Sequence, residues 1–592
     1  MIPKAHSLFW VACLLFLAHC KETPSIREPI NPIPAMTARQ LQQSYLNGKT
    51  DRPFSYQDPF FSNKIGPFTI LQRPNWANFS PLTGLLEGIP TQLGNVNGVV
   101  FQSGSGANLV SSSPLGFPVL GDPLKPVGLD MGIRQVLNLD ITGDGVRIAI
   151  SDTGLEIKHE DLRDNVIPNA SKNYLSGSED PTLLDQSQGF CHGTAVAGVI
   201  AMTGWNGVGG RGIAPYAGIA GLNFLEGFNK NPASANLFLL DQAQGNFDIF
   251  NQSWGAEQNT WVPTPPGSSI DLYFQKLQAG ANNLRGGKGA LYVKAAGNVP
   301  EINAAVDPYQ RSPFLIVVGA LDSVDRKAAY SSSGANLWLS AFGGEPVTPG
   351  SSPKLITTDS SGCQKGLSRS GNCNYSSNYQ GTSFAAPAIS GTIALMLEQQ
   401  PQLNWREVKH VLASTALKVE PGNLGWITNK AGFHFHNAFG FGKVQAEQAV
   451  LMAKSFQVGS LGALETVQGS VNSSFPLSIS SEASASLAME VSQDLVIETV
   501  AVELNLEHED LQNLQIELMS PTDSTGASGT KSILLARASS PDSSNIPGVK
   551  FISNAFYGEP AAGTWTLSIA NSSSTRSGNL RSVTFSLLGH RP

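Results

Sequence analysis

Val146-Arg147-Ile148-Ala149-Ile150-Ser151-Asp152-Thr153-Gly154 is the stretch that decides the fold of this 592-residue chain. The run from Val146 to Ile150 reads as a buried strand. An acid follows it at once, and Gly154 can take the turn that holds a carboxylate at a sheet edge. Ile249-Phe250-Asn251, Leu291-Tyr292-Val293 and Phe314-Leu315-Ile316-Val317-Val318 read in the same way, while His192 to Ala201 and Ser383 to Glu398 read as helices. Strands alternating with helices predict an α/β domain over residues 118–455, built on a parallel sheet flanked by helices. Such a sheet is buried on both faces and carries its site beyond the carboxyl ends of its strands, where Asp152 stands.

The flanking regions differ in pattern. Residues 21–117 are rich in Pro, Asn, Ser and Gly with little periodicity, and read as a tether or pro-region. In residues 466–592 helical patterning is lost. Thr499 to Leu506, Leu514 to Met519 and Thr564 to Ile569 alternate between Ser/Gly-rich turns, and Val471 to Ser486 holds the join or first strands of a small β-sandwich. At the start, Lys4, the apolar run Leu8 to Ala18 and Cys20 read as a signal peptide over 1–20, because a membrane span needs roughly 20 apolar residues. Leu17-Ala18-His19-Cys20 resembles a bacterial lipoprotein cleavage box, apart from His19 where a small residue is usual. Cys20 is therefore a candidate lipid-anchored residue, with a plain secretory signal as the alternative, and the chain is expected in the cell envelope or secreted.

Charged residues make up 14% of the chain against 60 Gly and 37 Pro, as in loop-rich extracytoplasmic proteins, and a net charge of −7 argues against nucleic acid as a partner. Loss of Cys13 with the signal leaves Cys20, Cys191, Cys363 and Cys373. Export would permit a disulfide between Cys363 and Cys373, whereas Cys191 reads as a packed thiol.

Three further motifs join Asp152. In His192-Gly193-Thr194-Ala195-Val196-Ala197-Gly198 small residues recur at helical spacing, so the helix behind His192 can lie close against a neighbour. Ser383, in Gly381-Thr382-Ser383-Phe384-Ala385-Ala386-Pro387, sits at the mouth of an apolar helix that would hold Pro387 in its first turn. A serine there can be a mere cap, but unpaired N–H groups at a helix start also favour negative charge developing on a substrate. Asn298 ends Ala295-Ala296-Gly297-Asn298 just past a strand, and its carboxamide can donate to an oxyanion. Asp-Thr-Gly also marks pepsin-like proteases, but those need a second such tripeptide, which this chain lacks.

Taken together, in the chain order Asp152, His192, Asn298, Ser383, these motifs resemble the subtilase superfamily of serine proteases. Ile141-Thr142-Gly143-Asp144-Gly145, Glu160-Asp161-Leu162-Arg163-Asp164, Asn251-Gln252-Ser253-Trp254-Gly255 and Leu403-Asn404-Trp405-Arg406-Glu407-Val408 look like its kexin/furin branch. Ile516-Glu517-Leu518-Met519-Ser520-Pro521, Gly529-Thr530-Lys531-Ser532 and Gly563-Thr564-Trp565-Thr566-Leu567 resemble the jelly-roll-like β-sandwich P domain that follows the catalytic domain in that branch. The resemblance implies a subtilisin-like fold and a serine endopeptidase acting on proteins or peptides as a monomer. Asp152, His192 and Ser383 would form the catalytic triad, with Asn298 as oxyanion donor. A non-catalytic surface-binding protein with a degenerate protease domain is the rival reading, and it must explain why all four positions are intact.

The resemblance also implies a structural calcium held by Asp130, Asp161, the Asn206 side chain and the carbonyls of Val208 and Gly210, hard oxygen donors of the kind calcium takes. Ser253, Trp254 and Gly255 would form the edge that pairs with substrate. Asp307 aligns with an acid that faces the basic residue before the cut, and Glu257 lies in the acidic stretch after the edge. The departures matter. Gln258 and Thr153 replace acids of the branch, and Ser332 or Ser333 stands where a second calcium ligand would be, so paired basic residues, one or none are all open.

Overall fold

The computed structural model describes residues 130–592 apart from 184–191, 257, 346–354, 472, 523–525, 527 and 542–544, together with the backbone of short strands between 54 and 119. The chain divides into two compact units, one of residues 142–204 and 209–592, the other of 24–141 and 205–208. The signal peptide, Cys20, Cys191 and Glu257 lie outside the described residues.

In the larger unit, six parallel strands form the central sheet: β1 (Arg147–Ser151), β2 (Gly218–Leu222), β3 (Ile249–Gln252), β4 (Leu291–Ala295), β5 (Leu315–Leu321) and β6 (Leu337–Phe342), in the order β2-β1-β3-β4-β5-β6. Strands β3, β4 and β5 are buried throughout, as expected for a parallel sheet covered on both faces. Helix α1 (His192–Ala201) and helix α2 (Thr382–Gln399) lie against each other, and α2 also covers β3 to β6. The small residues of α1 are there for contact. A Cβ on Gly198 would fall 2.3 Å from Thr358 Oγ1, and one on Gly193 2.1 Å from the Gly154 carbonyl oxygen. Close approach lets the Thr357 and Thr358 hydroxyls donate to the Ala195 and Thr194 carbonyls at 2.5 and 2.7 Å.

Residues 465–590 fold into two antiparallel sheets. One centres on Val496–His508 and Gly578–His590, the other on Ser484–Val491, Gly563–Asn571 and Leu514–Met519. Alternate residues face inward along Leu514–Met519 and Gly563–Asn571, and Leu504, Ile516, Trp565, Leu567 and Phe585 fill the space between the sheets. This sandwich is bonded to the sheet domain at several points. Helix α3 (Trp405–Thr415) starts on a capping box made by Asn404 and Glu407, and from it Arg406 donates to both oxygens of Glu498, which also binds His590 Nδ1 at 2.7 Å. Elsewhere Trp261 Nε1 donates to Ser540 Oγ, and Asn303 donates through its side chain to the Leu534 carbonyl and through its backbone to the Ser539 carbonyl.

The second unit contains short antiparallel strands, among them Phe54–Gln57, Ala77–Phe79 and Leu85–Gly88 in one sheet and Gly94–Val99 paired with Leu115–Val119. Strands of three to six residues are too short for alternation to stand out in the sequence.

Arg406 and Glu498 are both buried, so removing one partner leaves an uncompensated charge. Glu498→Ala is expected to lower the unfolding free energy by about 3–5 kcal/mol, and the double change Arg406→Met/Glu498→Leu to recover most of it. Thermal melting of the three proteins checks this; a single variant that melts like the parent would refute it.

Candidate active site

Strand β1 ends at Ser151, which puts Asp152 at the carboxyl end of the central sheet, wholly buried. His192 opens α1 and brings Nδ1 to 2.8 Å from Asp152 Oδ1 and 3.0 Å from Oδ2. The loop between them is braced: the Thr153 backbone N–H donates to Asp152 Oδ1 at 2.7 Å, and the Thr153 hydroxyl accepts from the Gly193 N–H at 3.2 Å. Thr153, where the resembling branch carries an acid, thus serves here as a neutral link between the strand and the helix.

Ser383 lies in the first turn of α2, 2% exposed. The His192 ring meets the ring of the adjacent Phe384 edge-on with centroids 5.5 Å apart, which brings the imidazole to the start of α2. The Ser383 hydroxyl donates to the Ser253 carbonyl at 3.3 Å. Pro387 sits one turn further into the helix than the sequence reading placed it, and the difference has a chemical result. Having no N–H, Pro387 cannot bond the carbonyl four residues back, that of Ser383, and the Ser253 hydroxyl takes that carbonyl at 2.8 Å. Asn298 is oriented from the same turn: its Oδ1 accepts from the backbone N–H and the hydroxyl of Thr382, both at 2.9 Å, so its amide nitrogen faces the other way, toward Gly381. Gly381 has φ +140°, and a Cβ there would stand 3.1 Å from Asn298 Nδ2.

Ser253, Trp254 and Gly255 follow directly on β3, and all three are buried. The Trp254 carbonyl accepts from Lys294 Nζ at 2.6 Å, and that ammonium stands 3.4 Å over the Trp254 ring. Asp307, 1% exposed, caps the turn Pro308–Gln310 and accepts from the backbone N–H of Tyr309 at 2.9 Å and the Gln310 side chain at 3.2 Å. Burial pushes its carboxyl up, against the pull of Lys294 and of N–H groups that include that of Ala256. Gln258 turns its Oε1 to the Ser332 hydroxyl at 3.1 Å, and its Nε2 is buried with no hydrogen-bond partner among the described residues.

Two functional neighbours escaped the sequence reading. Lys294 lies inside the buried strand β4, and Arg311 donates to the carbonyls of Val262, Ala305 and Val306. A lysine within an otherwise apolar strand run was the available signal.

The calcium candidates fall in both units. In the larger one Asp161 is fully buried, accepts from the Gly210 N–H at 3.1 Å, and is approached so closely by the backbone that a Cβ on Gly209 would lie 2.2 Å from its Oδ2. In the other, Asp130 accepts from the Gly132 N–H at 3.1 Å and Asn206 from the Val208 N–H at 3.2 Å. Among the described residues no group of three or more His, Cys, Asp or Glu forms a metal cluster. Within the larger unit the fit to calcium rests on the buried Asp161 carboxylate and the Gly210 carbonyl, both hard oxygen donors. Cys363 and Cys373 form a disulfide.

A buried carboxylate bonded to the imidazole of a helix start, with a serine at the mouth of a second helix packed on the first, on a parallel sheet covered on both faces, defines a serine protease of the α/β class. Residues 143–442 match the model of the subtilase family, and residues 497–587 that of the proprotein convertase P-domain. The Aeromonas extracellular serine protease of Aeromonas sobria is 31% identical over 554 residues, covering 78% of this chain and 83% of that protein. A crystal structure of serine protease of Aeromonas sobria matches with a TM-score of 0.70 and 29% identity, over 78% of this chain and 91% of that one. Proprotein convertase subtilisin/kexin type 7 of Mus musculus is 30% identical over 75% of this chain, which spans 56% of that convertase. The chain belongs to the subtilase family, as a subtilisin-like serine protease carrying a convertase-type P-domain of antiparallel sheets.

Burial pushes the Lys294 amine down to about 7, while Asp307 draws it up. An unfolded chain keeps the ordinary lysine value of 10.5, so between pH 7 and 10.5 it binds the extra proton. Stability should therefore rise with pH across that window and be least below it. Lys409, pushed down to about 7 by burial as well, acts in the same direction. Lys294→Met should roughly halve the slope of melting temperature against pH contributed by this pair; an unchanged slope would contradict it.

Proposed function

We propose that the chain is an exported serine endopeptidase that cuts proteins or peptides through Asp152, His192 and Ser383, with catalytic and P domains over 118–455 and 466–592. The observation that carries this reading is the Asp152–His192 bond of 2.8 Å beside the start of α2. His192 Nε2 takes the proton from the Ser383 hydroxyl as its oxygen attacks the scissile carbonyl, and Asp152 holds the imidazole tautomer and stabilises its protonated form. The Asn298 carboxamide and the Ser383 backbone N–H receive the oxyanion, and the same proton then passes to the leaving amine as the acyl-enzyme forms. In the free enzyme the Ser383 hydroxyl rests on the Ser253 carbonyl at the long distance of 3.3 Å, and catalytic hydrogen bonds of this kind tighten when substrate binds.

Substrate lies along Ser253, Trp254 and Gly255, and any preference for a basic residue before the cut belongs to Asp307 and Glu257. In the larger unit, Asp161 and the Gly210 carbonyl are the hard oxygen donors offered to a structural calcium, whose binding would stabilise the folded state by mass action. Cys20 anchors the enzyme to a membrane through lipid, and it acts as a monomer.

A fluorophosphonate probe should label the wild type, and Ser383→Ala should abolish that labelling; an unlabelled wild type would favour the non-catalytic alternative. Asn298→Ala should lower kcat by about 10²–10³ with labelling retained, measured on a peptide substrate. EDTA should lower the melting temperature and calcium restore it; a melt indifferent to both removes the metal.

A further inference from the structure

Asn251 on β3 and Ser390 on α2, the helix that covers it, are polar, wholly buried and absent from the reaction drawn above. A serine or threonine within a helix ordinarily turns its hydroxyl out to water or back to the carbonyl four residues earlier, as Thr392 does to Ala388 at 2.9 Å. The Ser390 hydroxyl instead crosses to the strand and donates to Asn251 Oδ1 at 2.9 Å. Asn251 Nδ2 donates in turn to the Ser253 hydroxyl at 2.9 Å, and that hydroxyl donates to the Ser383 carbonyl at 2.8 Å.

The direction of this line is set from its inner end. A carbonyl can only accept, and Pro387 leaves that of Ser383 without its helical donor, so the single proton of the Ser253 hydroxyl goes there. The Ser253 oxygen must then accept from Asn251, which points the amide nitrogen at Ser253 and the amide oxygen at Ser390. The Ser383 hydroxyl, 3.3 Å from the Ser253 carbonyl, makes the longest contact of the group, and that contact breaks when the hydroxyl turns to His192.

We infer that Asn251 is a positioning residue for the nucleophile: by holding the Ser253 hydroxyl as a donor to the Ser383 carbonyl, it replaces the helix bond that Pro387 cannot make and fixes the backbone from which the reacting oxygen projects. This rests on the serine endopeptidase reading above. Ser390 is the outer anchor that keeps the amide from turning over. The role requires that the side chain at 251 donate. A carboxylate there would take the Ser253 proton and draw that hydroxyl off the Ser383 carbonyl, whereas a protonated carboxyl would donate as the amide does. Burial raises the pH at which a carboxyl gives up its proton, which brings the change from one form to the other toward neutral pH.

The test uses the full chain, with each kcat counted per site titrated by the fluorophosphonate probe so that unfolded protein does not enter. Asn251→Leu should lower kcat roughly tenfold to hundredfold with KM changed less than about threefold, the size of loss that a displaced reacting group gives. It should slow labelling by the same factor, because the probe reaches Ser383 without a peptide on the Ser253 to Gly255 edge. Asn251→Asp should be as slow at about pH 8.5 and gain at least about fivefold relative to the wild type by about pH 6. A merely structural loss leaves that ratio flat. A wild-type kcat per labelled site in Asn251→Leu, a loss confined to KM, or a flat ratio for Asn251→Asp overturns the inference. Should either Asn251 variant not fold, Ser390→Ala decides in its place: kcat should fall at least about threefold, and an unchanged kcat overturns the inference. A wild type that takes no probe would instead defeat the peptidase reading itself.

Discussion

Pro387 cannot donate a hydrogen bond, and much of the site is arranged around that one missing donor. In an unbroken helix the Ser383 carbonyl would be closed off within α2. Here it is taken by the Ser253 hydroxyl, while the Ser383 hydroxyl turns back to the Ser253 carbonyl. Two residues far apart in sequence are thereby locked together, and with them the end of β3 and the start of α2. The remaining pieces are hung on the same turn. Thr382 bonds the Asn298 carboxamide through its backbone and its hydroxyl, and that hydroxyl also receives the Gly297 N–H at 3.1 Å.

The second condition is how closely the helices approach. His192 reaches Asp152 because Gly193 allows α1 to start against the Gly154 backbone, and the glycine at 198 lets the same helix rest on Thr357 and Thr358. Larger side chains at either position would lift the imidazole off the carboxylate. Tight packing here therefore sets the Asp152–His192 geometry as well as stability.

Much of this was legible in the sequence. Helix α1 begins and ends where its small-residue spacing predicts, and α2 is longer than the reading by one residue at each end, because apolar periodicity marks buried helices well. Strand β1 was read one residue early, and β5 extends past Val318, since a fully buried run carries no alternation to mark its ends. The Asp152–His192 pair could be anticipated because each stands at the end of an element. Less could be said of groups whose meaning depends on what faces them. Lys294 was visible as a charge in an apolar run, but its counter-ion lies beyond the strand, and Glu498 meets Arg406 across 92 residues. No local pattern encodes such a pairing.

The bonds from Asn303 to Leu534 and Ser539 bear on the timing of synthesis. Asn303 stands on the loop between Asn298 and Asp307, and its outer partners belong to the P-domain. On a ribosome Asp152, His192, Ser383 and the sheet that carries them emerge well before those partners. That loop lacks its far-side support until the sandwich has folded against it. Through Asn303 the order of the Asn298–Asp307 loop is thus coupled to the folding of a domain whose sequence comes more than two hundred residues later.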